Sequence, residues 1–159
     1  MELSEGLAQR YESGETTALV WRPAWGIIVT RVVGRGTLAV TKFYISLAQS
    51  AIVECGAARV FHDWSGLKGY DPEARDLMRA FGKTNADDRV LVRYLVSSKI
   101  LSMAIQTAGL VLRRDFESTT DRAAFERWVG SAVATAPRPS TPPGGPTSKR
   151  TSILPPSRR

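Results

Sequence analysis

Short apolar runs rich in β-branched residues alternate along this chain with longer segments in which apolar residues recur every three or four positions. The first pattern is typical of strands, and the second is typical of amphipathic helices. The predicted strands cover residues 16–22, 26–33, 59–64 and 89–96, with a short edge strand near 113–118. The predicted helices cover residues 38–55, 72–81 and 99–108, with a last helix that begins after Asp121.

Residues at the ends of the predicted helices support these boundaries. Gly56 follows the first helix, where a left-handed residue is common. Asp71 and Pro72 form a favourable helix start, because the aspartate can accept a hydrogen bond from a free amide and proline lacks an amide hydrogen. Ser98 and Asp121 stand where they can cap the last two helices.

The order of the elements predicts the fold class. After an opening strand pair, strands alternate with helices, and such alternation implies right-handed crossovers and a mostly parallel sheet. The glycine-rich segment 34–37 predicts a turn into the first helix, because it lacks the spacing of a phosphate-binding loop. We therefore expect an α/β domain with a four- or five-stranded, mostly parallel mixed sheet and helices packed against it.

Composition divides the chain into three parts. Residues 1–15 are polar and predict a loose lead or a short helix, and residues 16–136 form the predicted domain. Residues 137–159 are dense in Pro, Ser, Thr, Gly and Arg, which predicts a disordered basic tail. The net charge is +7, but five basic and no acidic residues follow Ala136, so the rest of the chain carries only +2. The charge is therefore poor evidence for a nucleic-acid-binding domain.

Other features exclude several classes of protein. The single cysteine, Cys55, rules out an internal disulfide. The N-terminal residues lack the basic and apolar regions of a secretory signal, and no apolar run is long enough for a membrane span. These observations predict a cytoplasmic location.

The sequence offers no convincing catalytic or metal-binding set. His62 is the one histidine, and its neighbour Asp63 should point to the opposite face of a strand. Cys55 lies on the apolar face of the first predicted helix, which favours an unreactive buried thiol. We therefore expect no catalytic residue, no metal, no cofactor and no enzymatic activity.

The segment 59–81 carries the most specific pattern. Its strand ends in Asp63-Trp64-Ser65-Gly66, a loop follows, and Asp71 begins the next helix. This arrangement, together with the element order, resembles the STAS domain of bacterial SpoIIAA-like anti-sigma-factor antagonists. That family has a strand ending in Asp-x-Ser-Gly-hydrophobic and an acidic residue at the following helix start. The resemblance spans roughly residues 15–134 and implies a regulatory module that binds protein partners.

One position departs from the family pattern. In antagonist members, the residue after the helix-starting aspartate is a serine that a partner kinase phosphorylates. Pro72 stands there and has no hydroxyl group. The resemblance therefore implies an interaction module without that phosphorylation switch.

These observations lead to a non-enzymatic bacterial regulatory or scaffold module that binds a protein partner, such as a regulatory kinase, sensor or scaffold, through residues 63–75. The predicted contact residues are Asp63, Trp64, Ser65, Gly66, Lys68, Tyr70 and Asp71. A homodimer through the apolar segment 100–112 is possible, and Lys149 and Arg150 could make a weak contact with phosphates or nucleic acid. The alternative is a small-molecule or lipid-binding domain, which requires an apolar pocket between the helix near 99–112 and the sheet.

Overall fold

Six strands and four helices make up the part of the chain that the computed structural model describes, which is residues 8–85, 89–113 and 116–137. The strands are β1 (Gln9–Ser13), β2 (Thr16–Ala24), β3 (Ile27–Gly36), β4 (Ala58–Tyr70), β5 (Val90–Val96) and β6 (Phe116–Thr119). The helices are α1 (Leu38–Cys55), α2 (Pro72–Thr84), α3 (Lys99–Leu112) and α4 (Arg122–Ala134). The predicted α/β class and the order of the elements after the opening pair are confirmed.

The strands lie side by side in the order in which the chain runs through them, from β1 to β6. The pairs β1–β2 and β2–β3 are antiparallel, and the later pairs are parallel. The parallel strands are joined by the helical crossovers α1, α2 and α3, whereas α4 follows the last strand. Helices α1, α2 and α3 pack on one face and α4 packs on the other, so each face has its own apolar cluster.

The sheet has one strand more than we predicted. Residues Gln9–Ser13, which we assigned to a polar lead outside the domain, form β1 and pair with β2 through a turn at Gly14. Most side chains of β1 are exposed, so backbone hydrogen bonds to β2 hold this edge strand in place rather than burial of its side chains. Its sequence therefore lacks the apolar periodicity from which a strand can be predicted.

The predicted helix ends agree well with the structure. Helix α1 ends at Gly56, which adopts the left-handed conformation with φ 77°. The side chains of Ser98 and Asp121 accept hydrogen bonds from the first amides of α3 and α4. Helix α3 runs four residues past the predicted end at Ala108, because Gly109 is buried within the helix instead of ending it.

The predicted loop after Trp64 is wrong, because β4 continues through Tyr70 and pairs with β3 from Arg59 to Tyr70, with two shifts in register. Strand β3 likewise includes Gly34 and Gly36, which we had assigned to a turn. The ring of Tyr70 lies directly against Gly36, where a side chain would collide with it. These glycines allow close packing within the sheet. In the sequence, a glycine that is needed for packing cannot be distinguished from a glycine that forms a turn.

Candidate functional site

Asp63 joins three elements at the end of the sheet. Its carboxylate accepts hydrogen bonds from Arg31 Nε of β3 at 3.0 Å, from both terminal nitrogens of Arg122 at 3.1 Å, and from the Ser65 hydroxyl at 2.6 Å. Burial raises the pKa of Asp63, but the bonds from Ser65 and Arg122 outweigh this effect and hold it below its usual value. Asp63 therefore tethers β3, β4 and α4, and its predicted contact with a partner stays a prediction.

Trp64 occupies a different place from the one we expected. As a strand-end aromatic it was predicted to be an interface anchor, but its side chain is only 8% exposed. Its ring centroid lies 4.7 Å from that of Tyr94 and 5.4 Å from that of Tyr70, on the face of the sheet opposite Asp63. Trp64 thus belongs to the core beneath α1, α2 and α3.

The start of α2 has the predicted position but different bonding. Asp71 is the N-cap residue, yet its side chain makes no capping hydrogen bond. Instead, Asp71 Oδ1 accepts a hydrogen bond from Arg35 Nε at 2.7 Å, and so links α2 to β3. Ser65, Lys68 and Pro72 are the exposed residues around this point, whereas Tyr70 is half-buried.

His62 is not placed for acid–base chemistry. Its ring is 2% exposed, and its Nδ1 lies 2.7 Å from the hydroxyl of Thr30. Burial lowers the pKa of His62 to about 3, so the ring is neutral near pH 7. The thiol of Cys55 has a raised pKa, first because of burial and then because of Glu54.

The described residues contain no group of three or more histidine, cysteine, aspartate or glutamate side chains that could hold a metal ion. Of the four described helices, none combines the length and apolar content needed to cross a bilayer.

A cavity of about 490 Å³ opens between the sheet and helices α1, α2 and α3. The sheet contributes aromatic side chains to it, including Trp64 and Tyr94, and α2 and α3 contribute aliphatic ones. Small residues on the helices leave this space open. They are Ala48 of α1, Gly82 of α2, and Ala104 and Ala108 of α3. The size and the apolar lining are those of a small-molecule site.

Two polar atoms beside the cavity have no hydrogen-bond partner, namely Tyr44 Oη and Trp64 Nε1. Both belong to residues that line the cavity. Buried polar groups are nearly always bonded, so these two atoms are exceptions that cost the fold some free energy. Burial also raises the pKa of Tyr44 far above its ordinary value, with a smaller contribution from Tyr70, so the phenol keeps its proton.

The outer face of α3 is exposed and apolar. The exposed fractions are 82% for Ile100, 66% for Met103, 80% for Leu110 and 79% for Val111. The predicted homodimer through this helix stays a prediction. The predicted tail contact through Lys149 and Arg150 lies outside the described residues.

The cavity lies near α3, as the ligand-binding alternative expected, but most of the residues that form its walls were not predicted. Arg75, Arg79 and Met78 line the cavity from α2, and Tyr44 lines it from α1. The only signal in the sequence was the set of small residues at helical positions that face the sheet. That signal is weak, because small residues serve close helix packing equally well.

The fold resembles solved structures that share little sequence identity with this chain. No family model matches the chain, and a search of the curated proteins finds no significant match. An uncharacterized protein of the DUF3478 family from Shewanella loihica PV-4, with a SpoIIAA-like fold, aligns with a TM-score of 0.55 and 14% identity. The alignment covers 77% of this chain and 91% of that one. The fold is therefore SpoIIAA-like, which confirms the predicted STAS-like architecture.

Anti-sigma factor antagonists also appear among the structural neighbours. SpoIIAA in its unphosphorylated form aligns with a TM-score of 0.48 and 13% identity, over 77% of this chain and 98% of that one. An antagonist from Mycobacterium paratuberculosis aligns with a TM-score of 0.47 and 14% identity, over 75% of this chain and 94% of that one.

Proposed function

We propose that this SpoIIAA-like domain is a non-enzymatic regulatory module that binds a small apolar ligand in the cavity between the sheet and helices α2 and α3. The cavity of about 490 Å³ carries the proposal. It lies where the sequence analysis required a pocket for the ligand-binding alternative, beside α3. A binding role rather than a catalytic one is supported by the buried neutral ring of His62 and the raised pKa of Cys55.

The position of Gly82 allows a direct test. A Cβ added at Gly82 would meet only Leu112 Cδ1, at 3.9 Å, so the first atom of a larger side chain has room beside the cavity that Gly82 lines. Leucine also favours the helix more than glycine does. Gly82→Leu should therefore fold and fill part of the cavity. Gly130→Leu on α4 is the matched control, because open space surrounds Gly130 on the other side of the sheet.

The probe is Nile red, a neutral dye whose emission shifts to the blue in apolar surroundings. Titration with the wild-type protein and with Gly130→Leu should give saturable binding at one site. Gly82→Leu should weaken this binding by at least about tenfold, a change of ~1.4 kcal/mol. Equal binding by all three proteins, or none by the wild type, would contradict the proposal.

Protein docking through residues 63–75 is the second candidate. What favours it is that part of this segment remains exposed, at Ser65, Lys68, Pro72 and Glu73. Because Trp64 is buried, docking would depend on charged and polar side chains rather than on an aromatic anchor.

A surface change tests this candidate without disturbing the core. Lys68→Glu combined with Glu73→Lys alters the exposed charges and keeps the buried residues. A partner that docks here should be lost in a pulldown with this variant and retained with Gly130→Leu. Retention of the same partner by both variants would exclude residues 63–75 as the docking surface.

A further inference from the structure

The charged residues around the cavity all have the same sign. Lys68 near the end of β4 and Arg75 and Arg79 of α2 are exposed, and each contributes to the cavity lining. The other described residues of the lining are uncharged, given that His62 is neutral near pH 7. The cavity therefore joins an apolar interior to a basic rim.

This arrangement of charge is unfavourable in the empty protein. Arg75 and Arg79 stand four residues apart, so they are neighbours on the surface of α2, and like charges at this spacing repel each other. Arg75 also lies in the first turn of α2, where the helix dipole disfavours a positive charge. The ion pair between Arg79 and Asp76, at 3.3 Å, is also exposed and offsets part of this repulsion, whereas Arg75 has no acidic partner among the described residues. An anion at the rim would relieve it.

We infer that the ligand of the cavity is an anionic amphiphile with one aliphatic chain and a carboxylate head, which rests on the proposed ligand-binding function. The chain lies in the cavity against α3, and the head stays at the rim beside Lys68 and Arg75. A carboxylate inside the apolar cavity would be costly, whereas each buried methylene group favours binding. The planar guanidinium of arginine suits a carboxylate, because it can donate two parallel hydrogen bonds.

The volume of the cavity favours one chain over two. At about 490 Å³, it lies in the lower half of the range for sites that hold a single drug-sized molecule. The small residues Ala104 and Ala108 lie along α3, where they leave room for a chain that runs beside the helix.

The inference can be tested with three probes that share one chain and differ only in the head group. They are decanoate, decanol and decylamine, titrated calorimetrically into the full-length protein at pH 7.4. Decanoate should bind at least about tenfold more tightly than decanol, and decylamine should bind more weakly than decanol. The order follows from the attraction or repulsion between the head group and the basic rim.

Two double variants locate the source of the preference. Lys68→Gln with Arg75→Gln keeps Arg79, so it should remove most of the preference for decanoate over decanol and leave decanol binding unchanged. Lys42→Gln with Arg127→Gln is the matched control, since it removes the same charge from exposed residues that do not line the cavity. This control should keep the tenfold preference.

The outcomes separate the inference from the proposed function. Equal binding of decanoate and decanol to the wild type would overturn the inference and leave the apolar site intact. An undiminished tenfold preference in the Lys68 and Arg75 variant would also overturn it, because the anion would then be held elsewhere. If the wild type binds none of the three probes and also fails to bind Nile red, the apolar site itself is contradicted.

Discussion

The two faces of the sheet are built from the same strands, but the side chains on each face meet different surroundings. On the α4 face, Phe61 meets Phe125 edge-on with ring centroids 6.2 Å apart, and Asp63 has donors from three residues. On the opposite face, Trp64 and Tyr44 have polar atoms without partners beside a cavity of about 490 Å³. Neighbouring residues of β4 thus enter two different environments.

The difference shows how one strand can serve both stability and binding. Successive side chains of a strand point to opposite faces, so β4 sends Phe61 and Asp63 to one face and His62 and Trp64 to the other. A filled face contributes packing energy, whereas a cavity forgoes some of it and leaves room for a ligand. We therefore regard the α4 face as the supporting side and the α2–α3 face as the binding side.

The largest expected effect compares truncation on the two faces. Phe61→Ala should lower the free energy of unfolding by about 3–5 kcal/mol, because it opens a void in a filled region. Trp64→Ala should lower the free energy of unfolding by about 1–2 kcal/mol less than Phe61→Ala does, although the tryptophan ring is larger. Its loss extends a cavity that already exists, and it removes an N–H group that lacks a partner.

Urea unfolding of both variants, followed by circular dichroism, measures the two free energies. A larger loss for Trp64→Ala than for Phe61→Ala would show that the α2–α3 face is packed as tightly as the α4 face. The comparison between the two faces would then fail.

A smaller effect concerns pH and the neutral state of His62. Its folded pKa of about 3 lies below the ordinary value of 6.5. The unfolded chain therefore binds a proton that the native state does not, and this group makes stability fall as the pH drops below 6.5. The loss between pH 7.5 and pH 5 should reach about 2 kcal/mol, given ~1.4 kcal/mol for each unit.

The variant His62→Gln isolates this contribution, because glutamine can still bond to Thr30 and does not titrate in this range. Its unfolding free energy should change less between pH 7.5 and pH 5 than that of the wild type, by about the amount that His62 supplies. An equal change in both proteins would mean that water reaches His62 through the cavity and keeps its pKa near the ordinary value.

Much of the fold could be predicted from local patterns, and the exceptions have physical reasons. The bounds of α1 and the caps at Ser98 and Asp121 follow from helical periodicity and from local side-chain bonds. Strand β1 was not predicted, because its extended conformation depends on pairing with β2 rather than on its own side chains. The end of β4 was not predicted for a related reason, since Gly66 and Gly69 are typical of turns but here lie in a paired strand.

The candidate site shows the same limit more clearly. Local sequence identified Asp63, Ser65 and Asp71 as residues near the carboxyl end of a strand, but it could not show what they contact. Asp71 bonds to Arg35, which is far from it in sequence, instead of capping its own helix.

The sequence by itself determined the α/β class, the order of the elements after the opening pair, most helix ends, and Pro72 at the position where the resembling family has a serine. These features depend on periodicity, capping and residue chemistry, which act over a few neighbouring residues. Only the tertiary structure decided that Trp64 is buried, that Asp63 is tethered by Arg31 and Arg122, and that a cavity with a basic rim lies beneath α2 and α3. A cavity forms where side chains from elements that are distant in sequence leave a shared space unfilled. No local sequence pattern contains the relative positions of those elements.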